Sequence, residues 1–219
     1  MIRVLRAVRR AQRRWNGDAA GVAAIEFSLI LPIVLVLLVG CIEIVNAIEN
    51  WRRVLIVVRT AADLASQGDA QNPVADSVMN DILSATTLAI APYDIAKMTI
   101  TISALGVGVN TASLLNPYVC SSWSFGAQPR GVGPASDLTV PPNYQRIGAR
   151  YVLAEVSMPY TLVLGTVFSK IVKDFELPVT WRESLAWPVR GGVAYSALSD
   201  SEVVFQKRGG SNPAPCPQS

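Results

Sequence analysis

Chemically reactive side chains are sparse in this chain of 219 residues, and one common type is missing altogether. There is no histidine, which removes Ser-His-Asp and Cys-His nucleophilic systems, His-ligated zinc and His-held haem. The three cysteines, Cys41, Cys120 and Cys216, are too widely spaced for a zinc site built from cysteines alone. The sequence contains no G-x-S-x-G, P-loop or C-x-x-C motif. It therefore predicts a protein that is not an enzyme and holds no cofactor or metal ion.

The carboxylates of the second half of the chain are scattered rather than paired. Glu155, Asp174 and Glu202 stand alone in sequence and are interpreted as surface acids, while Arg182 and Glu183 are typical of a solvated ion pair. A hydrolase carried on a membrane anchor is an alternative function. It lacks both a nucleophile and a base.

Glu26 is the ionisable residue whose position needs a chemical explanation. It stands directly before sixteen consecutive uncharged residues, 27–42. Moving a charged acid toward the centre of a bilayer costs roughly 2.5–3.5 kcal/mol on insertion scales. We therefore expect the Glu26 carboxylate to need a partner.

A membrane-spanning helix is the element that must position Glu26. With the apolar residues on either side, the uncharged run reaches about 25 residues, and roughly 20 cross a bilayer core. Residues 1–21 carry a charge balance of +5 and the rest of the chain −2, without a basic stripe suited to nucleic acid. The positive-inside bias places the N-terminus in the cytoplasm and everything after about residue 48 outside. The basic residues of the leader are Arg3, Arg6, Arg9, Arg10, Arg13 and Arg14.

Two ordinary explanations of this pattern stay open. A cleaved secretory signal peptide also has a basic region followed by an apolar run. Here, however, the run is long, contains Pro32 and lacks a small-x-small cleavage site before a polar start. An uncleaved signal anchor requires only that Gly21 precede a helix and that Glu26 extend to the interface.

The order of residues around Glu26 is more specific than either explanation requires. Gly21 is followed by Val22, Glu26 is the fifth residue after the glycine, and Phe27 and Pro32 follow. This pattern resembles the class III signal of type IV pilins, in which a prepilin peptidase cuts after a glycine. Over residues 21–66 the sequence is similar, more narrowly, to the TadE/TadG-like pseudopilins of tight-adherence (Flp, type IVb) pilus systems.

The resemblance implies cleavage between Gly21 and Val22, a part for Glu26 and Phe27 in subunit assembly, and a helix kink at Pro32. After cleavage, the Glu26 carboxylate would neutralise the new amine of its own or a neighbouring subunit in a low-dielectric setting. The implied partners are a prepilin peptidase, the pilus assembly platform, the major pilin and sister pseudopilins, with no small-molecule substrate. The implied location is the bacterial inner membrane, with the C-terminal domain extracytoplasmic. The length of the chain favours the shorter TadE branch.

The predicted organisation is a basic cytoplasmic leader (1–21), a transmembrane helix (22–48), an extracytoplasmic α+β domain (49–208) and a flexible tail (209–219). A helix over 22–67 would be roughly 69 Å long, with Trp51 as a candidate interfacial anchor. Beyond Trp51, small apolar residues recur at helical spacing and would pack on the protein's own domain or on a partner helix. These residues are Val54, Val58, Ala61 and Ala65.

Changes in the spacing of apolar residues predict the helices and strands of the rest of the chain. A second helix is predicted over 74–90, ended by Pro92, and strands over 97–104, 151–158 and 177–189. The second helix would turn Val78, Ile82 and Leu83 toward a core. The Gly-, Pro- and Ser-rich residues 105–147 predict a long loop region with room for short hairpin strands. Residues 162–172 are too short for a second span and predict an amphipathic helix or a hydrophobic crossover.

These elements predict an α+β, pilin-like fold in which a long helix lies on an antiparallel sheet. Cys120 and Cys216 would both lie outside the membrane and are expected to form a disulfide if that compartment is oxidising. Cys41 is interpreted as a small apolar residue of the helix. The alternative to a pilus subunit is a membrane-anchored binding or sensor domain, for which Trp123 and Phe125 would be the exposed recognition residues.

Overall fold

The computed structural model describes residues 19–68, 73–109, 114–162, 178–194, 197–206 and 216. The chain forms two compact units, Met1–Asn46 and Ala47–Ser219. Most of the predicted leader, residues 163–172 of the predicted helix or crossover, and the predicted tail apart from Cys216 lie outside the described residues.

Helix α1, Ala19–Gln67, is 49 residues long and belongs to both units. In the first unit its large apolar side chains face outward, which is the arrangement expected of a helix that meets lipid or a partner. Pro32 lies inside the helix, and the kink expected there stays a prediction. Gly68 ends the helix with a φ of 35°, a backbone conformation that glycine adopts without steric cost.

Helix α2, Asp76–Ile90, buries Met79, Ile82, Thr86 and Ile90 along one stripe. The prediction that Val78 faces the core is wrong: its side chain is 36% exposed, and Met79 takes the buried position. Ile82 is buried as expected, and Leu83 is partly buried against the core. Pro92 follows the helix through a cis peptide bond.

Among the described residues, five antiparallel strands form one sheet in the order β3-β2-β1-β4-β5. Their bounds are β1 Thr99–Val109, β2 Leu115–Phe125, β3 Gly133–Pro134, β4 Arg150–Thr161 and β5 Pro178–Pro188. The fold is therefore α+β, with the antiparallel sheet that was expected. The prediction of a long loop over 105–147 is wrong in its first part, because residues 105–109 continue β1 and residues 115–125 form β2.

The register between β1 and β2 shifts at Ala104/Leu105. Ala104 pairs with Ser121 and Leu105 pairs with Val119, which leaves Cys120 as the extra residue of a β-bulge. A bulged residue is released from the regular ladder, so its side chain can be directed elsewhere. This places the sulfur of Cys120 outside the alternating pattern of the strand.

The main core lies between the helices and one face of the sheet. The predicted helix face is buried: Val54, Val58, Ala61 and Ala65 are each at most 2% exposed. They belong to one cluster with sheet residues that include Ile100, Ile102, Val152, Ala154, Val156 and Met158. The small-residue face of α1 therefore packs on the protein's own domain, which decides between the two alternatives. A second cluster, around Leu105, Val107 and Tyr151, covers part of the opposite face.

Candidate functional site

The first candidate site is the start of α1, where the structure places Gly21, Val22, Glu26, Phe27 and Pro32 on one continuous helix. Val22 and Glu26 are four residues apart, so their side chains lie on the same face one turn from each other. Val22 is 59% and Phe27 63% exposed, and a Cβ at Gly21 would meet none of the described neighbouring atoms within 4 Å. Within residues 19–46, therefore, no side chain covers this segment of the helix.

The length and composition of α1 match those of a membrane-spanning helix. Within the part of the chain that the structure describes, it is the one helix long and apolar enough to cross a bilayer. From Val22 to Ile48 its exposed large side chains are almost entirely aliphatic. An exposed apolar surface of this extent is not found on soluble monomers, so lipid or protein must cover it.

Trp51, expected as an interfacial anchor, has specific partners within the second unit. Its indole Nε1 donates a 2.6 Å hydrogen bond to Glu183 Oε1, and its ring lies 6.4 Å from that of Trp181. Glu183 is therefore not half of a solvated pair with Arg182. Glu183 is the one acidic residue on the apolar face of β5, and its carboxylate accepts this hydrogen bond from Trp51 of α1.

The second candidate site is a buried polar cluster around Cys216. Cys120 and Cys216 form a disulfide. The Glu202 carboxylate accepts hydrogen bonds from Arg150 Nε at 2.9 Å and from the Cys216 backbone N–H at 2.8 Å. The interpretation of Glu202 as a surface acid is wrong, because it is 2% exposed and Arg150 is 5% exposed. The Cys120, Cys216 and Glu202 ligand atoms lie within 4.8 Å of one another, but the two sulfurs bond to each other and are not free metal ligands.

The third feature is a polar groove on the open face of the sheet, lined in part by Thr99, Thr101 and Ser157. Arg130 lies in this groove and donates to both oxygens of Glu155, at 2.6 and 2.7 Å, and to Asp137 at 2.7 Å. These bonds raise the pKa of Arg130, chiefly through Glu155, and the bond from Arg130 lowers the pKa of Asp137. Glu155 is thus paired rather than free, and Asp174 lies outside the described residues. The groove presents hydroxyl groups beside an arginine that two carboxylates already neutralise.

The aromatic pair proposed for recognition is not an exposed surface. Trp123 is 1% exposed and its Nε1 donates a 2.7 Å hydrogen bond to Asp76 Oδ1. Phe125 is partly buried against the main core. The expectation that these two residues form an exposed loop site is wrong, because they lie on β2 and face the helices.

Comparison with known proteins gives a family match over the helix that holds the first candidate site. Residues 21–63 match the family model of TadE-like proteins. The resemblance to the TadE/TadG-like family is confirmed over this TadE-like segment, which holds Gly21, Glu26, Phe27 and Pro32. No curated protein and no solved structure matches the chain significantly. The TadE-like segment ends within α1, so it covers most of this helix and none of the sheet.

The sequence analysis proposed the residues of the first candidate site, which stay a prediction, and it missed the polar cluster of the second. Arg150 and Glu202 are separated by 52 residues, so no local spacing pattern joins them. The one available signal was Gly106, which is directly opposite Arg150 in the sheet. A glycine inside an alternating strand often marks a place where another group approaches closely.

Proposed function

We propose that this chain is a non-enzymatic, pilin-like subunit that takes part in assembly of a tight-adherence pilus. The observation that carries the proposal is the match of residues 21–63 to TadE-like proteins, on a helix whose apolar surface is exposed. A TadE-like segment supports involvement in such a pilus. That the chain is a minor subunit of the pilus goes beyond this match and is part of our proposal.

The mechanism we propose is helix packing. The N-terminal half of α1 lies in the bacterial inner membrane with its start in the cytoplasm, and the second unit lies on the extracytoplasmic side. A prepilin peptidase cleaves between Gly21 and Val22, and the new amine is neutralised by the Glu26 carboxylate of the same or a neighbouring subunit. The helix then passes from lipid into a bundle with other pilin-like subunits at the assembly platform.

The direct test is the N-terminus of the membrane-extracted protein, measured by intact mass in cells with and without the prepilin peptidase. We expect a mature chain starting at Val22 only when the peptidase is present. A chain that keeps its leader in both strains would contradict the processing step and the amine pairing.

The role of Glu26 is tested separately by Glu26→Gln, with Glu49→Gln as the matched control. Glu49 lies on the same helix, in an exposed i,i+4 pair with Arg53 at 3.1 Å, and lies beyond the apolar run. We expect Glu26→Gln to lower the yield of sheared pili and of cross-linked subunit pairs, while Glu49→Gln leaves both unchanged. Equal yields from the two variants would refute the charge-pairing role.

A further inference from the structure

The second unit begins where the apolar run of α1 ends. Ile48 is the last residue of that run, and Trp51, Arg52 and Arg53 follow on the same helix. At 1.5 Å per residue, these three residues lie roughly 5–8 Å beyond Ile48 along the helix axis. The headgroup layer on each side of a bilayer core is about 5–7 Å thick. With α1 spanning the membrane as proposed, this turn of the helix therefore lies at headgroup depth.

The C-terminal end of α2 lies beside this turn of α1. Arg53 Nη1 donates a long hydrogen bond, 3.5 Å, to the Ala89 carbonyl. Tyr93 follows α2, and its pKa is raised chiefly by burial and further by the charge of Glu49, while Arg53 lowers it. Both charged groups are therefore close to the Tyr93 ring. The end of α2 and the residues just after it thus lie next to the first turn of the second unit.

Apolar side chains at this end of α2 are exposed. Leu88 is 80% exposed, because the buried stripe of the helix runs through Thr86 and Ile90 instead. Ala91 and Pro92, directly after the helix, are also exposed. Single exposed apolar residues are ordinary on a soluble domain. These three, however, lie within five residues of chain beside the end of an apolar run, where an apolar side chain can enter the boundary between headgroups and acyl chains.

Two aromatic pairs lie at the same end of the second unit. Trp51 is 38% exposed, and its ring lies 6.4 Å from that of Trp181. Tyr93 meets Tyr160 edge to face, with 6.4 Å between the ring centroids. Tyr160 immediately precedes the last residue of β4, so this pair marks the end of the sheet. Tryptophan and tyrosine are enriched at membrane–water interfaces, because each combines an apolar ring with a polar group. Their concentration here favours an interfacial position.

Exposed cations accompany the apolar and aromatic groups. Arg52 and Lys97 are exposed, and among the described residues neither has a carboxylate partner. Two nearby acids are engaged: Glu49 pairs with Arg53, and Asp94 caps the 3₁₀ turn that contains Lys97. Arginine and lysine near a membrane surface are attracted to the negatively charged groups of the lipids. The two free cations therefore match the phosphate groups that lie just outside the acyl boundary.

We propose that this end of the second unit binds the phospholipid headgroup layer of the membrane that α1 spans. We call it the entry surface, and it consists of Trp51, Arg52, Leu88, Pro92, Tyr93 and Lys97. Leu88 and Pro92 reach the acyl boundary, while Arg52 and Lys97 contact lipid phosphates. This binding rests on the proposed membrane-spanning position of α1 and is independent of leader cleavage. A subunit that leaves the membrane for a pilus must then break this contact as well as move its helix.

The first experiment measures the depth of single nitroxide labels on the full chain in phospholipid nanodiscs. In the Cys41→Ser background, the disulfide leaves an introduced cysteine as the one free thiol. Leu88→Cys then places the label on the entry surface. We expect this label to be several-fold less accessible to a water-soluble nickel complex, and more accessible to oxygen, than a label at Leu198→Cys. Equal accessibility at the two positions would overturn the proposal.

Leu198 is the matched control because it is a similarly exposed leucine at the other end of the domain. It is 86% exposed. Its carbonyl lies close to Gly148, whose N–H donates to the Val107 carbonyl. Val107 is eight residues beyond Thr99, the first residue of β1, which is roughly 27 Å along the strand. A label at Leu198 stays in water whether or not the entry surface binds lipid.

A third label separates this proposal from the membrane-spanning position of α1. Cys41 is free and exposed within the apolar run, so it accepts the label in the unmodified chain. We expect the Cys41 label to lie in the oxygen-rich bilayer core. If Cys41 is in the core while Leu88 is in water, the entry surface is wrong and the spanning helix stands. If Cys41 is also in water, the spanning position fails and the entry surface fails with it.

The phosphate contacts are tested by charge reversal at two exposed arginines of α1. Arg52→Glu places a negative charge at headgroup depth. Arg59→Glu is its control, because Arg59 is exposed on the same helix but lies seven residues, or roughly 10 Å, farther from the membrane. With the label at Leu88→Cys, we expect Arg52→Glu to raise nickel accessibility several-fold and Arg59→Glu to leave it unchanged. Circular dichroism checks that both variants are folded. Equal accessibility in the two folded variants would refute the phosphate contact.

Discussion

Single polar side chains determine much of the packing of the second unit. Trp51, Trp123 and Arg150 each have a specific acceptor on a distant part of the chain. The bond of Arg150 is buried, that of Trp123 is partly buried, and that of Trp51 is exposed to solvent. A buried donor or acceptor left without its partner costs about 1–3 kcal/mol, so we expect Trp123 and Arg150 to tolerate substitution less well than Trp51.

At Gly106 we predict that Gly106→Ala destabilises the protein by about 1–3 kcal/mol, because the added methyl group must displace Arg150 or the disulfide. The measurement is urea unfolding followed by circular dichroism. Gly131→Ala is the control, since a Cβ there meets nothing within 4 Å, and it should be neutral. A stable Gly106→Ala variant would show that the cluster is loosely packed.

Tyr151 should control stability at alkaline pH. Burial raises its pKa to about 12, with a smaller contribution from Tyr144, whose ring stacks on it at 4.7 Å. Because the folded-state pKa is raised above the ordinary value near 10, the unfolded chain loses this proton first as pH rises. The stabilisation is therefore complete below pH 10 and is lost between about pH 10 and 12, amounting to about 2–3 kcal/mol.

The Tyr151 prediction is checked by unfolding measurements at pH 9 to 12 together with tyrosinate absorbance. Tyr151→Phe should remove the part of the alkaline loss that this residue causes and the latest-titrating step of the absorbance curve. An unchanged pH profile in Tyr151→Phe would place the alkaline sensitivity elsewhere.

At the scale of elements, α1 has two different surfaces. Its first half exposes apolar side chains, while in its second half they face the sheet. We predict that Val57→Ala, at a fully buried position, costs about 2 kcal/mol, because it leaves a cavity against the sheet. Ile56→Ala removes a larger side chain but should cost less than half as much, since Ile56 is 52% exposed. Thermal unfolding of both variants in one detergent tests the comparison; equal losses would contradict it.

The elements that hydrophobic periodicity predicts well are those whose buried positions are apolar. The alternating apolar residues of β4 and the small-residue face of α1 are in this class, and both were predicted. Strand β2 was missed because its interior contains serines: Ser121, Ser122 and Ser124 are each at most 7% exposed. Ser122 pairs with Ser103 of β1 at 2.9 Å. In a sequence, serines are typical of loops. Their burial as hydrogen-bonded pairs becomes apparent only when the partner strand is known.

The two candidate sites also differ in how well the sequence alone predicts them. Gly21, Glu26, Phe27 and Pro32 lie within about three turns of one helix, so their spacing in sequence is already their spacing in space. Arg150, Glu202 and Cys216 are distant in sequence and are brought into contact by the tertiary fold. Long-range polar contacts of this kind leave no local pattern, and a single sequence cannot reveal them.

At the scale of the whole molecule, the second unit has a core made from its own residues. We predict that a fragment starting at Ala47 is soluble without detergent, because it lacks most of the exposed apolar helix, and that it unfolds cooperatively. Size-exclusion chromatography and thermal circular dichroism measure both properties, and the full chain in detergent is the reference. Aggregation of the fragment would show that residues before Ala47 are needed for this unit to fold.

The disulfide between Cys120 and Cys216 also turns part of the polypeptide into a covalent ring that contains β3, β4 and β5. A protease that cuts one peptide bond inside this ring leaves the two fragments attached to each other. The nicked protein keeps its full mass on a non-reducing gel and separates into two bands only after reduction. A single cut outside the ring releases a fragment under either condition, so paired gels show whether each cleavage site lies inside or outside the ring.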